Sequence, residues 1–333
     1  MKIKRVSKIK IEKEIRIEEI MSDRPRVHNG ENDPNIYIGT YQSLEKWPKE
    51  FFKQFHTVAV DESHGAKSKT LVGILKKTFG TAYSRFGVSG TFPPDDSCEI
   101  LSIQSVLGPK ITEVTASELR DKGIISPMEI RVLLLNHNDP DYLSRLKVIK
   151  KSGMGKEALE LEKDFIHNSE KRLDLIVKLI QSCSKNTLVL FHTIEYGQKL
   201  FSTLSTKIKD KSFYYIDGEV RNKTREEIKK FMEETSGETK VLVASFGTLS
   251  TGISINAIFN LVFTDSYKSE QIIIQSVGRT LRLHDEKKTA IIYDLVDIFD
   301  SSDQTNILSN HFKEREKFYK KRKYPYKVKK INL

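Results

Sequence analysis

Short apolar runs alternate along the chain with amphipathic stretches. The runs "NIYIGT" (35–40), "TVAV" (57–60), "RFGVSG" (85–90), "TLVLFH" (187–192), "FYYIDG" (213–218), "KVLVAS" (240–245), "LVFTD" (261–265) and "AIIYDLVD" (290–297) predict strands. Most are continuous rather than alternating, as expected of strands covered on both faces. Between them lie helical patterns. In "TREEIKKFMEE" (224–234), Thr224 is a candidate cap and Ile228, Phe231 and Met232 form an apolar stripe. Alternating β and α signals predict parallel sheets in an α/β architecture. A boundary is expected in "DKGIISPMEI" (121–130), where Gly123 and Pro127 break structure and a new strand, "MEIRVLLL", follows. Residues 1–34 fit two patterns. Ile9/Ile11 and Ile15/Ile17 alternate like a strand, and the Glu/Lys spacing also suits a helix.

At 333 residues the chain is long enough for two domains with their own cores. No apolar run approaches the eighteen or so residues of a membrane span, and the charged N-terminus lacks the apolar centre of a secretory signal. Cys98 and Cys183 form neither a metal-ligand spacing nor a disulfide framework. A reducing cytoplasm is expected.

The net charge of +11 sits at the two ends: residues 1–20 carry +3 and residues 313–330 carry +8. The basic C-terminal stretch, with Phe318, Tyr319, Tyr324 and Tyr326 interleaved, suits a phosphate backbone with stacked bases. An amphipathic helix with Phe312 and Phe318 packed inward fits it equally well.

Four segments carry candidate chemistry. "TVAVDESH" (57–64) ends an apolar strand in two carboxylates. A parallel strand delivers Asp61 to the C-terminal sheet edge, where ligands bind in open α/β sheets. There Asp61 can hold Mg²⁺ through water, and Glu62 can orient or deprotonate an attacking water. An ordinary strand end is the alternative. "VSGT" (88–91) places Ser89 and Thr91 on a tight turn, in reach of His64 or the carboxylates. A simple turn accounts for it as well. "VLVASFGTLSTGISI" (241–255) is a strand followed by small hydroxyl residues and glycines, able to present N–H groups and hydroxyls to phosphates or to serve as a flexible turn. In "QSVGRTLR" (275–282), Gln275, Arg279 and Arg282 share roughly one helix face. Two arginines one turn apart call for an anion between them, and a γ-phosphate would supply it. Pairing with Asp285 and Glu286 is the alternative.

In this order the segments resemble the superfamily 2 helicases and translocases, and among them the T4-type phage recombination helicases. "DESH" looks like motif II, "SGT" like III, "GTLSTGI" like V and "QSVGRTLR" like VI. "IYIGTYQSL" (36–44) looks like motif Ib and "LVLFHTIEYG" (188–197) like IV. Several ordered motifs are far more specific than one. The resemblance covers roughly residues 35–333. It implies two RecA-like parallel-sheet domains, the first incomplete: an N-terminal basic segment (1–34), a partial first domain (35–125) and a second domain with a basic tail (126–333).

The resemblance also implies ATP and Mg²⁺ as cofactors and DNA, single-stranded or branched, as partner, with no membrane. Asp61, Glu62, Arg279 and Arg282 would carry catalysis. His64, Gln275, Gly252 and Gly278 would line the nucleotide, and Ser89 and Thr91 would couple it to motion. Thr40, Gln42, Ser43, His192, Thr193, Ser245 and Thr248 would contact the nucleic acid. Ser254 stands where many relatives carry an acidic residue, so their ribose contact does not carry over.

The matching phosphate loop, G-x-x-x-x-G-K-[ST], does not occur. "GAKSKT" (65–70) and "KKSGMGKEAL" (150–159) imitate it but lack its glycines or its hydroxyl residue. The expectation is the C-terminal portion of an ATP-dependent DNA helicase serving recombination, repair or replication. Alone it would hydrolyse ATP weakly or not at all, and a separate N-terminal fragment could act in trans. The second domain should then fold by itself, and the first should carry a raw internal sheet edge. A non-catalytic nucleic-acid-binding module and a restriction-type duplex translocase are the alternatives.

Overall fold

A computed structural model describes residues 17–20, 35–93, 95–151, 155–234, 237–250, 255–267, 269, 273, 276–278, 282–284, 287–299 and 306–333. The chain divides into two compact units, Met1–Glu113 and Val114–Leu333.

In the first unit, β1 (Ile17–Ile20) pairs in parallel with β2 (Ile36–Gly39). Two short helices follow, α1 (Tyr41–Leu44) and α2 (Lys49–Phe52), then β3 (Thr57–Val60), α3 (Lys69–Lys77), β4 (Ser84–Gly87) and α4 (Cys98–Leu107). β3 and β4 form a second parallel pair. Ser68 and Ser97 cap α3 and α4 by accepting the N–H groups of Leu71 and Ile100. Leu71, Leu75, Ile100, Ile103 and Val106 pack under Val58 and Val60. Trp47, Phe52 and Ile74 form a smaller cluster with Tyr37, Phe51 and Phe55.

The expectation of strands covered on both faces fails for β3 and β4. Thr57 and Ala59 are exposed, and Phe86 is 46% exposed. Among the described residues a helical layer packs on one face only. β4 also ends at Gly87, short of the expected 85–90: Val88 still donates its N–H to the Val60 carbonyl at 2.9 Å, but its carbonyl accepts the N–H of Ser63, already in the turn beyond β3, at 2.9 Å.

The second unit begins with α5 (Ala116–Asp121) and β5 (Met128–Asn136), then three helices, α6 (Pro140–Lys151), α7 (Gly155–Asn168) and α8 (Glu170–Ser182). β6 (Thr187–Phe191), α9 (Ile194–Lys207), β7 (Ser212–Ile216), α10 (Asn222–Glu233), β8 (Lys240–Ser245), α11 (Phe246–Ser250), β9 (Asn260–Phe263) and β10 (Ala290–Ile298) follow, and α12 (Ile307–Lys321) leads to β11 (Tyr326–Asn332). The strands form one parallel sheet in the order β11-β5-β10-β9-β6-β8-β7.

Successive residues of each central strand supply opposite cores. Leu188, Leu190, Leu242, Leu261 and Ile292 face Met232, Val277, Phe318 and Tyr319. Val189, Phe191, Val241, Val243 and Leu295 face Ile176 and Ile180 of α8 and Leu200 and Leu204 of α9. That is why these strands read as unbroken apolar runs.

Two local expectations are corrected. Thr224 does not cap α10: the helix starts at Asn222 after Arg221, which makes no side-chain cap. Phe231 leaves the buried stripe of Ile228 and Met232 and stacks on Tyr214, 6.1 Å between ring centroids. The base-stacking reading of the C-terminal aromatics also fails. Phe318, Tyr319 and Tyr324 are core residues, and the Tyr326 hydroxyl donates to Glu316 at 2.8 Å. The basic tail is itself structure, since β11 runs along β5 over its whole length.

Candidate nucleotide and nucleic-acid sites

In the first unit the candidate site residues lie just beyond β3. Asp61 is exposed, and its Oδ1 accepts the Glu62 N–H at 2.8 Å. Glu62 adopts the left-handed region (φ 49°), uncommon for a residue with a Cβ, and this turns the chain sharply into a 3₁₀ turn, Ser63–Gly65. Its carboxylate lies 3.2 Å from His64 Nδ1, which is also 2.9 Å from Ser89 Oγ. Ser89 Oγ donates to the Thr91 carbonyl at 2.8 Å and accepts the Thr91 N–H at 3.1 Å. A continuous polar path thus joins the end of β3 to the turn after β4. The approach of the two strand ends is close enough to require Gly87: a Cβ there would lie 2.5 Å from Ser63 Cβ.

Hydrated Mg²⁺ takes only one or two protein carboxylates, and Asp61, exposed beside Glu62, meets that demand. Among the described residues no group of three or more His, Cys, Asp or Glu forms a metal cluster. Thr40, at the end of β2, caps α1: its Oγ1 accepts the Ser43 N–H at 3.3 Å and lies 3.0 Å from Ser43 Oγ. Gln42 beside them is exposed.

In the second unit, His192 and Thr193 follow β6. His192 is exposed, and its N–H donates to Asp265 Oδ2 at 2.7 Å. Asp265 Oδ1 lies 2.7 Å from His167 Nε2. Beneath them lies a buried polar network. Arg172, 0% exposed, donates to both oxygens of Asp297 at 2.8 and 3.0 Å, to Tyr196 Oη at 2.6 Å and to the Thr264 carbonyl at 2.6 Å. His137 Nε2 approaches Asp297 at 2.8 Å. Burial alone would raise the Asp297 carboxyl, but the Arg172 charge and His137 outweigh it and hold the group at about 2. Burial pushes the Tyr196 hydroxyl up. The network locks the ends of β5, β9 and β10 to α8 and α9, and so sets the frame from which His192 projects.

Ser245 and Thr248 are buried, with hydroxyls 2.6 Å apart, so they shape the loop after β8 rather than face solvent. Gly252, Ser254, Gln275 and Arg279 lie outside the described residues. Around the last two, Ile273, Ser276 and Val277 are buried while Gly278 and Arg282 are exposed. The Arg282 carbonyl accepts from Lys287 Nζ at 2.9 Å and Ser126 Oγ at 3.2 Å. Lys287 Nζ also donates to the Asn256 carbonyl at 2.8 Å, and burial lowers its pKa to about 8. Glu233 accepts the N–H groups of Asn256 and Ala257 at 2.5 and 3.2 Å. This cluster pins the loops on either side of the candidate arginines.

Sequence reasoning missed Asp265, Arg172, Asp297 and Lys287. A signal existed for three of them. Arg172 stands one turn before Ile176 and two before Ile180 on an otherwise apolar stripe. Asp297 interrupts an apolar strand, and Asp265 ends one, as Asp61 does. Nothing local marks Lys287.

Residues 171–284 match the helicase conserved C-terminal domain. By this match the chain resembles the superfamily 2 helicases. Over 315 residues it is 31% identical to the ATP-dependent DNA helicase uvsW of Enterobacteria phage T4, covering 91% of this chain and 60% of that protein. The chain thus spans about three fifths of that relative's length. The crystal structure of T4 UvsW superposes with a TM-score of 0.49 at 28% identity, over 90% of this chain and 59% of that one. The DNA-bound ATP-dependent Type ISP restriction-modification enzyme LlaBIII gives 0.60 at 14% identity, over 90% of this chain and 23% of that one, a likeness of fold.

Proposed function

We propose that the chain is the C-terminal motor portion of an ATP-dependent DNA helicase or translocase, acting on single-stranded or branched DNA in recombination or repair. The observation that carries this reading is the polar path Glu62–His64–Ser89 between the ends of β3 and β4. Bare carboxylates at a strand end need no such link. A link from the water-activating carboxylate to the next strand's turn is what a nucleotide-driven motor requires if hydrolysis is to be felt elsewhere.

In this reading Asp61 would hold Mg²⁺, which would supply charge neutralisation at the phosphates. Glu62, beside His64, orients the attacking water and takes its proton. Arg279 and Arg282 stabilise the charge that develops on the γ-phosphate. His64, Gln275, Gly252 and Gly278 border the nucleotide. Thr40, Gln42, Ser43, His192 and Thr193 contact the DNA backbone, and Ser245 and Thr248 hold the shape of the loop beside them.

No segment of the 333 residues can grip the phosphates in the manner of a G-x-x-x-x-G-K-[ST] loop. The reading therefore places that loop outside these 333 residues. Mixing the chain with a helicase N-terminal segment that carries such a loop should restore DNA-stimulated ATPase, and Glu62→Gln should abolish it. No stimulation, with both polypeptides folded, would overturn the reading of this chain as the remainder of such a site.

A further inference from the structure

We propose that the β11 edge of the second sheet, together with the end of α12, is an additional nucleic-acid contact surface that reads the phosphate backbone alone. Residues 313–330 hold ten Lys/Arg against two Glu, which is most of the chain's net charge. The fold sorts this stretch by chemistry. Its aromatic residues Phe318, Tyr319 and Tyr324 go to the core, and Arg315 is buried against Asp294 at 2.9 and 3.0 Å. The lysines stay outside: Lys321 and Lys323 at the turn out of α12, and Lys327, Lys329 and Lys330 along β11. Lys327 reaches Glu129 at 3.5 Å, whereas Lys321, Lys323, Lys329 and Lys330 make no ion pair among the described residues.

Two ordinary explanations fall short. Lysines on an edge strand discourage pairing with other chains, and cations at a helix end favour its dipole. Either needs only one or two charges, and neither accounts for a net +8 concentrated in this one stretch.

The frame is rigid. β11 is bonded to β5 from Tyr326 to Asn332, and the Arg315–Asp294 pair fastens α12 to β10. From Lys327 to Lys330 the lysines along β11 span about 10 Å, long enough to meet about two phosphates. All strands of the sheet are parallel, so β11 ends on the same sheet edge as His192 and Thr193. It lies four strands from β6, about 19 Å at ordinary strand spacing. A nucleic-acid strand lying along β11 from Lys321 and Lys323 at its start to Lys329 and Lys330 can therefore continue onto this edge toward His192 and Thr193. With no aromatic side chain available for stacking, the contact is indifferent to sequence. Only the identity of the polyanion rests on the proposed function.

The test is fluorescence anisotropy of the full chain with a labelled mixed-sequence single-stranded oligonucleotide across a salt series. The variant Lys321→Gln/Lys323→Gln/Lys329→Gln/Lys330→Gln changes exposed positions only, and an unchanged denaturation midpoint verifies its fold. It should bind about tenfold more weakly or worse. Its slope of log affinity against log salt should be shallower by about 0.7 for each phosphate no longer neutralised. A second variant, His192→Ala/Thr193→Val, reports on the other surface. Wild-type affinity and slope in the lysine variant, with binding abolished in the second, would overturn the β11 surface and leave the proposed function standing. Binding of the wild-type chain to phosphatidylserine vesicles but not to the oligonucleotide would overturn both.

Discussion

The two units carry their candidate chemistry on frames of very different depth. In the second, β6, β8 and β9 are buried from end to end, with helices on both faces of the sheet. In the first, β3 alternates exposed and half-buried positions, and among the described residues its ladder partner is β4. Asp61 and Glu62 therefore project from a lightly supported strand, whereas His192 projects from a frame locked by a buried ion pair. Apolar runs of similar appearance end up in unlike environments because burial depends on which layers arrive from elsewhere in the chain.

The largest effect should come from Arg172→Met. It leaves Asp297 charged and buried without its guanidinium, a loss of about 3–5 kcal/mol. Region-resolved hydrogen exchange should show it in the second unit, with the first unchanged. Equal loosening of both would break the comparison. Gly87→Ala should act on the first unit instead, because its Cβ meets Ser63 at 2.5 Å. Overpacking of this kind costs about 1–3 kcal/mol, and exchange in Ser63–Gly65 should rise while β6 and β8 stay protected.

Acid sharpens the contrast further. The Asp297 carboxyl sits at about 2 in the folded chain, below the ordinary carboxylate value of 3.8. The folded state thus binds this proton less readily than the unfolded state. The stabilisation is complete above the ordinary value and is lost as pH falls through the folded one. A denaturation series between those limits should weaken the wild-type second unit more than the Asp297→Asn variant. The smallest effect belongs to the exposed Lys67–Glu99 pair, 2.9 Å apart. Lys67→Ala should shift the first unit by less than about 1 kcal/mol, and less again in high salt.

The contrast also explains what the sequence could disclose. "TVAV" and "KVLVAS" coincide with observed strands because continuous β-branched runs between polar stretches have few other solutions. The exposure of Ala59 and Phe86 was not legible, since it depends on layers and not on local pattern. The Asp61–Glu62 pair stood out because both carboxylates adjoin one strand. The Arg172–Asp297 pair did not, because its members lie 125 residues apart and meet only when α8 packs beside β10. The lysines of β11 hid a strand altogether: "YKVKKIN" breaks the apolar pattern because its outer edge faces water.

The central claim is that these 333 residues hold the carboxylate half of a nucleotide site without its phosphate grip. Its most direct test is ATP turnover by the chain alone, measured with and without single-stranded DNA. The account predicts turnover at background in both cases, although the oligonucleotide is bound. DNA-stimulated hydrolysis by the chain alone, abolished by Glu62→Gln, would contradict it.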